Sequence, residues 1–190
     1  IKLIIKDGNL IESLKNNELG DLIFDKTVFY AESGGQIGDQ GIVQSDDFEG
    51  KILDCKKLII SSNKTVFLHR VKITKGCAKK YTKCNLIIDK NKRIEISSHH
   101  SSTHLLHEAL RQKLGLHVKQ RGSLVTQERL RFDFSHNKPI NENELNEIEA
   151  LVNEKILSKK TIETKIMTPD EAIKNGAIAL FGEKYGDEVR

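Results

Sequence analysis

Along the first half of the chain, apolar residues come in short runs broken by turn formers. Residues 2–6 and 22–25 are such runs, bounded by Asp7-Gly8-Asn9 and Gly20-Asp21. Residues 51–53, 58–60, 66–71 and 86–88 continue the pattern. Short strands at this spacing predict a small sheet or barrel. The period changes near Asp89-Lys90. From there Ile96, Leu105, Leu106, Ala109, Leu110 and Leu114 keep helical spacing, which predicts a helix over 90–114. Its start is basic (Lys90, Lys92, Arg93), and Gly115 is its stop signal.

Strand pattern returns over 117–120 and 123–126, around Arg121-Gly122. Residues 130–136 alternate, with Leu130, Phe132 and Phe134 on one face and Arg131, Asp133 and Ser135 on the other. Asn141 or Asn143 caps a second helix to about Leu157, with Leu145, Ile148, Leu151, Val152 and Ile156 as its apolar stripe. Residues 161–167 alternate as a further strand. Thr168-Pro169-Asp170-Glu171 opens a short helix that Gly176 ends. The expected fold class is α+β. A β-rich, barrel-like subdomain with a glycine-rich loop spans 1–89, and a core of helices on a mostly antiparallel sheet spans 90–190.

Two stretches carry candidate chemistry. The predicted histidine helix holds four of the seven histidines within nine positions: His99, His100, His104 and His107. Residues four apart on a helix share a face, so His100 and His104 stand side by side. Two neutral imidazoles so placed can clamp a borderline-soft cation such as zinc, though two ligands leave a tetrahedral ion half-coordinated. Solvated or hydrogen-bonded histidines are the plainer reading of the same spacing. The metalloprotease pattern H-E-x-x-H is excluded, because Ser101 follows His100. The second stretch is the glycine-rich loop from Tyr30 to Gly41, with four glycines in its last eight residues. It is neither a P-loop nor a dinucleotide fingerprint. A plain connection between strands accounts for it, and Glu32, Ser33 and Gln36 are its polar groups.

Composition narrows the picture modestly. A 190-residue chain with 37% hydrophobic residues and two prolines is a folded protein, not a disordered one. The net charge of +4, from 31 basic and 27 acidic residues, does not by itself argue for nucleic acid. Lys113, Lys119, Arg121, Arg129 and Arg131 do cluster in sequence after the helix, where they form either a phosphate-holding patch or a mixed solvated surface with Glu128 and Asp133. Three irregularly spaced cysteines argue against a disulfide framework and for reduced thiols in the cytoplasm. No run is long enough for a membrane span, and no signal peptide is visible. A start at Ile1 and a stop at Arg190 are expected to be boundaries within a longer protein.

Four stretches together carry a resemblance. They are Asp25–Gln36 with Gly38-Asp39, then H-S-S-T-H-L-L-H from His100 to His107, then Gly122-Ser123-Leu124-Val125 leading into Leu130-Arg131-Phe132-Asp133-Phe134, and finally Ala179 to Asp187. In this order they resemble the editing region of alanyl-tRNA synthetases, with relatives among free-standing alanyl-tRNA editing proteins. The resemblance implies a barrel-like subdomain followed by the editing core that threonyl-tRNA synthetase shares. It implies zinc, with His100 and His104 as two ligands and a downstream C-x-x-x-H, which this chain does not reach, as the other two. The implied reaction is hydrolysis of serine or glycine from mischarged tRNA(Ala), bound by its acceptor end. Neither a membrane nor DNA is an expected partner. Gln36 and its loop would border the aminoacyl pocket, and Ser123 or Thr103 would supply a hydroxyl that senses serine. Arg121, Arg129 and Arg131 would meet terminal phosphates, unless Arg131 simply pairs with Asp133. The parent would charge tRNA(Ala) with alanine using ATP and Mg in a catalytic domain absent here. Two alternatives stay open: a free-standing or threonyl-type editing domain, and a non-catalytic tRNA-binding module.

Overall fold

A computed structural model describes residues 1–61, 64–177 and 186–189 of the chain. Contacts divide it into two compact units. The first joins Ile1–His104 with Arg121–Asp133, and the second joins Leu105–Gln120 with Phe134–Arg190.

The first unit is built on antiparallel strands. In chain order they are β1 (Leu3–Lys6), β2 (Asn9–Ile11), β3 (Ser13–Lys15), β4 (Leu19–Ile23), β5 (Gly41–Gln44), β6 (Phe48–Ser61), β7 (Lys64–Lys79) and β8 (Asn85–Ile88). The order across the sheet is β2-β1-β4-β7-β6-β5-β8, with β3 added on β7. The sheet is open: among the described residues its path runs from β2 to β8 without closing, so the barrel expected from short strands does not form. The reason is the pair β6–β7. Sequence pattern divides these strands into three short runs, but they are 14 and 16 residues long. Strands that long extend past the core. Residues 56–61 of β6 are exposed throughout, so no inward-facing alternation marks that half of the strand.

The core under this sheet includes Ile4, Leu14, Leu22, Phe29, Val43, Ile52, Cys55, Val71 and Ile73. His69 of β7 is fully buried among them. Its Nδ1 lies 3.2 Å from the Leu22 carbonyl, which can only accept, so Nδ1 carries the proton. Nε2 then accepts from the Thr27 hydroxyl at 2.7 Å, and Phe24 and Phe29 meet the ring edge-on. Burial lowers the pKa of His69 and keeps it neutral.

Helix α1 runs from Lys90 to Leu114, the bounds its periodicity predicts. Strands β9 (Gln120–Val125) and β10 (Leu130–Phe134) form a separate two-stranded sheet. In the second unit, α2 spans Glu142–Leu157 and α3 spans Pro169–Lys174. Both open with a full capping box, Asn141 with Glu144 and Thr168 with Glu171. Residues 161–166 are irregular and exposed, where alternation predicts a strand; Met167 alone bridges to Val189. Among the described residues, 161–166 have no strand neighbour to receive their backbone bonds, and alternation alone does not make a strand. Of the expected stripe of α2, Ile148 is buried, Leu151 and Val152 are half-buried, and Leu145 and Ile156 are about half exposed. The mixed α+β class stands, with the antiparallel sheet lying in the first 88 residues. Most of the stretch from Ala179 to Asp187 (residues 179–185) lies outside the described residues.

Candidate functional site

The site grows from a tight turn. Ser33 and Gln36 exchange backbone hydrogen bonds of 3.1 and 3.0 Å around Gly34 and Gly35. Both glycines have positive φ, +60° and +81°, which a two-residue primed turn requires and which side chains resist. Gly35 is also pressed on β9: a Cβ there would lie 2.5 Å from the Ser123 carbonyl oxygen. Two backbone bonds tie the turn to that strand, Val125 N–H to Gly35 O at 2.8 Å and Ile37 N–H to Val125 O at 3.2 Å. The glycine loop is therefore docked edge-to-edge on β9.

An ion pair between a buried carboxylate and a half-exposed guanidinium anchors the far end of the loop. Asp39 is 2% exposed. It accepts the Tyr30 N–H at 2.5 Å and is gripped by Nε and Nη2 of Arg93, from the first turns of α1. Arg93 also donates to the Val28 carbonyl at 2.9 Å. One carboxylate thus fastens both arms of the loop to the start of the histidine helix. Glu32 N–H bonds to the Cys55 carbonyl, and Lys57 of β6 reaches the Ser33 hydroxyl at 2.8 Å.

The consequence is seen at Gln36. Its Oε1 lies 2.6 Å from Nδ1 of His100. A carboxamide oxygen only accepts, so Nδ1 carries the proton and Nε2 keeps its lone pair. His104 stacks one turn on, with ring centroids 5.2 Å apart and planes at 21°. Burial lowers the pKa of His100, and the neighbouring His104 charge adds to the effect, so the imidazole is biased to its neutral form. Neutral, tautomer-fixed imidazole is the form that ligates metals. These two donors fit zinc in kind, but they are two of the four a closed site needs. Among the described residues no group of three or more histidine, cysteine or acidic side chains could hold a metal ion.

The remaining sequence-predicted residues divide. Thr103 is buried, and its hydroxyl donates to the His99 carbonyl of its own helix at 2.9 Å. Ser123 is half-buried on β9, against Gly35. Arg121, Arg129 and Arg131 are all exposed. Arg131 pairs with Asp133 at 3.2 Å, whereas among the described residues Arg121 and Arg129 make no ion pair. An exposed pair of this kind contributes at most about 1 kcal/mol. Sequence reasoning missed three parts of the site. Asp39 and Arg93 are 54 positions apart, and neither shows a local sign of the pairing. His99, which the helical spacing does not pair with His100 and His104, bonds Thr126 O through Nδ1 at 2.8 Å and ties α1 to the end of β9. The three free thiols stay out of this chemistry: Cys55 is buried, its pKa pushed up to about 12 by burial and then by Asp54 and Asp39.

Residues 1–92 match the family of class II (A) tRNA synthetases. The whole chain is 45% identical to an alanine--tRNA ligase of Mesorhizobium japonicum and 46% identical to one of Chelativorans sp. strain BNC1. In both alignments all 190 residues are covered, and they span 21% of the relative's length. Among the described residues no helix is long and apolar enough to cross a membrane. Identity of this extent over every residue makes the chain homologous to one segment of these alanine--tRNA ligases.

Proposed function

We propose that this segment is the editing portion of an alanyl-tRNA synthetase, which hydrolyses serine or glycine from mischarged tRNA(Ala). The single observation that carries the reading is the Gln36–His100–His104 arrangement: a paired imidazole clamp whose tautomer is set from a glycine loop docked on a neighbouring strand. A pocket built for alanine discriminates poorly against a smaller side chain or one extra hydroxyl, so a second, hydrolytic site is the physical remedy.

His100 and His104 would present nitrogen donors to zinc, and a Cys-x-x-x-His beyond these 190 residues would complete the shell. When bound, zinc would orient the aminoacyl group and polarise a water or carbonyl beside it. Gln36 is the positioning residue. Holding the proton on Nδ1, it keeps His100 Nε2 available. Between the two hydroxyls considered as serine sensors, Ser123 is preferred, because the Thr103 proton is already given to the His99 carbonyl. Arg121 and Arg129 remain for phosphates of the acceptor end, and Arg131 is assigned to Asp133. Alanine activation with ATP and Mg belongs to the rest of the parent ligase.

The test is metal content and serine release from Ser-tRNA(Ala), measured on this chain and on one extended through the next Cys-x-x-x-His. Zinc and hydrolysis in the longer protein, both lost in H100A/H104A, are the expected result. Salt-sensitive tRNA binding without turnover in the longer protein would refute the hydrolase and leave a tRNA-binding module.

A further inference from the structure

The second unit holds another histidine pair. His117 Nε2 and His136 Nδ1 lie 2.9 Å apart. Their rings stack with centroids 5.2 Å apart and planes at 19°, which closely repeats the 5.2 Å and 21° of His100 and His104. The pair is held from behind. The Ser135 hydroxyl donates to the His117 carbonyl at 2.9 Å and accepts the Lys119 N–H at 3.0 Å, so the backbones carrying both histidines are tied together. Phe134 packs beside His136 at 6.5 Å. Both histidines lie within one compact unit.

We propose that His117 and His136 form a second, solvent-facing clamp for a borderline divalent transition-metal ion. Metal–imidazole bonds of about 2.0–2.1 Å place two ligands at right-angle to tetrahedral bites about 2.9–3.4 Å apart. The two nitrogens already stand at that separation, and a modest ring rotation turns their lone pairs from each other onto a common ion. One proton lies between them now. On binding it moves to the far nitrogen of the donor ring, so two neutral rings take the metal without net proton release. The incoming aquo ion loses two waters and keeps the rest, because among the described residues no third histidine, cysteine or carboxylate completes a cluster. Nitrogen donors on an open, exposed site select zinc, nickel or copper over magnesium or calcium. The second clamp uses none of the proposed editing residues.

The experiment is a Zn²⁺ titration of the 190-residue chain followed by imidazole ¹⁵N resonances, with H100A/H104A and H117A proteins alongside. In the unsubstituted protein, His117 Nε2 and His136 Nδ1 should shift together and saturate, and in H100A/H104A they should do so with one equivalent. The shift should persist in H100A/H104A, and in H117A the apparent affinity at His136 should fall at least tenfold. Unmoved His117 and His136 resonances at saturating Zn²⁺ in the unsubstituted protein would overturn the proposal, with no variant required to fold. So would full retention of the His136 response in H117A. Neither outcome bears on serine release by the extended protein, so the two readings fail separately.

Discussion

Replacing Gly35 with alanine tests how the glycine loop is held. Two costs are added by one methyl group. Gly35 sits at φ +81°, where a Cβ costs roughly 1–2 kcal/mol. The new Cβ would also lie 2.5 Å from the Ser123 carbonyl oxygen and 2.8 Å from its carbonyl carbon. Relieving that contact moves turn and strand apart by roughly 0.7–0.9 Å, to ordinary van der Waals separation. The Val125–Gly35 and Ile37–Val125 bonds, at 2.8 and 3.2 Å, then lengthen past useful hydrogen-bond range. At about 0.5–1.5 kcal/mol each, their loss and the strain together come to roughly 2–5 kcal/mol. Gly34 supplies the control: its φ is +60°, but nothing lies within 4 Å of its Cβ position, so G34A carries the strain alone. Urea unfolding at constant m-value measures both. G35A should lose well over 1 kcal/mol more than G34A, and the His100 ¹⁵N resonances should show mixed tautomers as Gln36 withdraws. Equal losses in the two variants, or a single unchanged His100 tautomer in G35A, would refute the account of the loop as docked on β9.

Three further outcomes follow from the same contacts. Burial lowers the pKa of both His69 and His100 in the folded chain, so below the unfolded value of 6.5 the unfolded chain binds more protons; stability should be level above that pH and fall on acidification through it, and T27V, which leaves His69 Nε2 without its donor, should cost about 1–3 kcal/mol at neutral pH in chemical denaturation. Asp39→Ala leaves the Tyr30 N–H and the half-exposed Arg93 without their carboxylate and should cost about 1–3 kcal/mol, whereas no measurable loss would mean that Asp39 does not anchor the loop. Asn141→Ala removes the cap of α2 and should cost about 1 kcal/mol, with helix content by circular dichroism falling only slightly.

The sequence by itself determined the elements whose cause is local. Helix α1 runs over Lys90–Leu114 because its apolar periodicity lies within its own length and its stop signal, Gly115, follows directly. The caps at Asn141 and Thr168 are equally local, since each is satisfied three residues away. His100 and His104 were legible as a pair because 3.6-residue periodicity alone puts them one turn apart. The length of β6 and β7 was not legible. Their outer halves bury little, and hydrophobic alternation reports burial, not pairing. The strand expected over 161–167 shows the converse: among the described residues its alternation meets a partner only at Met167, which bridges to Val189.

Only the tertiary structure decided what the candidate site is made of. Gln36 meets His100 across 64 positions, Asp39 meets Arg93 across 54, and Thr27 meets His69 across 42. Each of these bonds depends on where a strand edge or helix start arrives in space, and no short-range pattern encodes that arrival. The glycines at 34 and 35 announced a tight turn. That the turn lies against β9 and hands its glutamine to a helix histidine is a property of the packed chain, because a hydrogen bond is set by the positions of both partners.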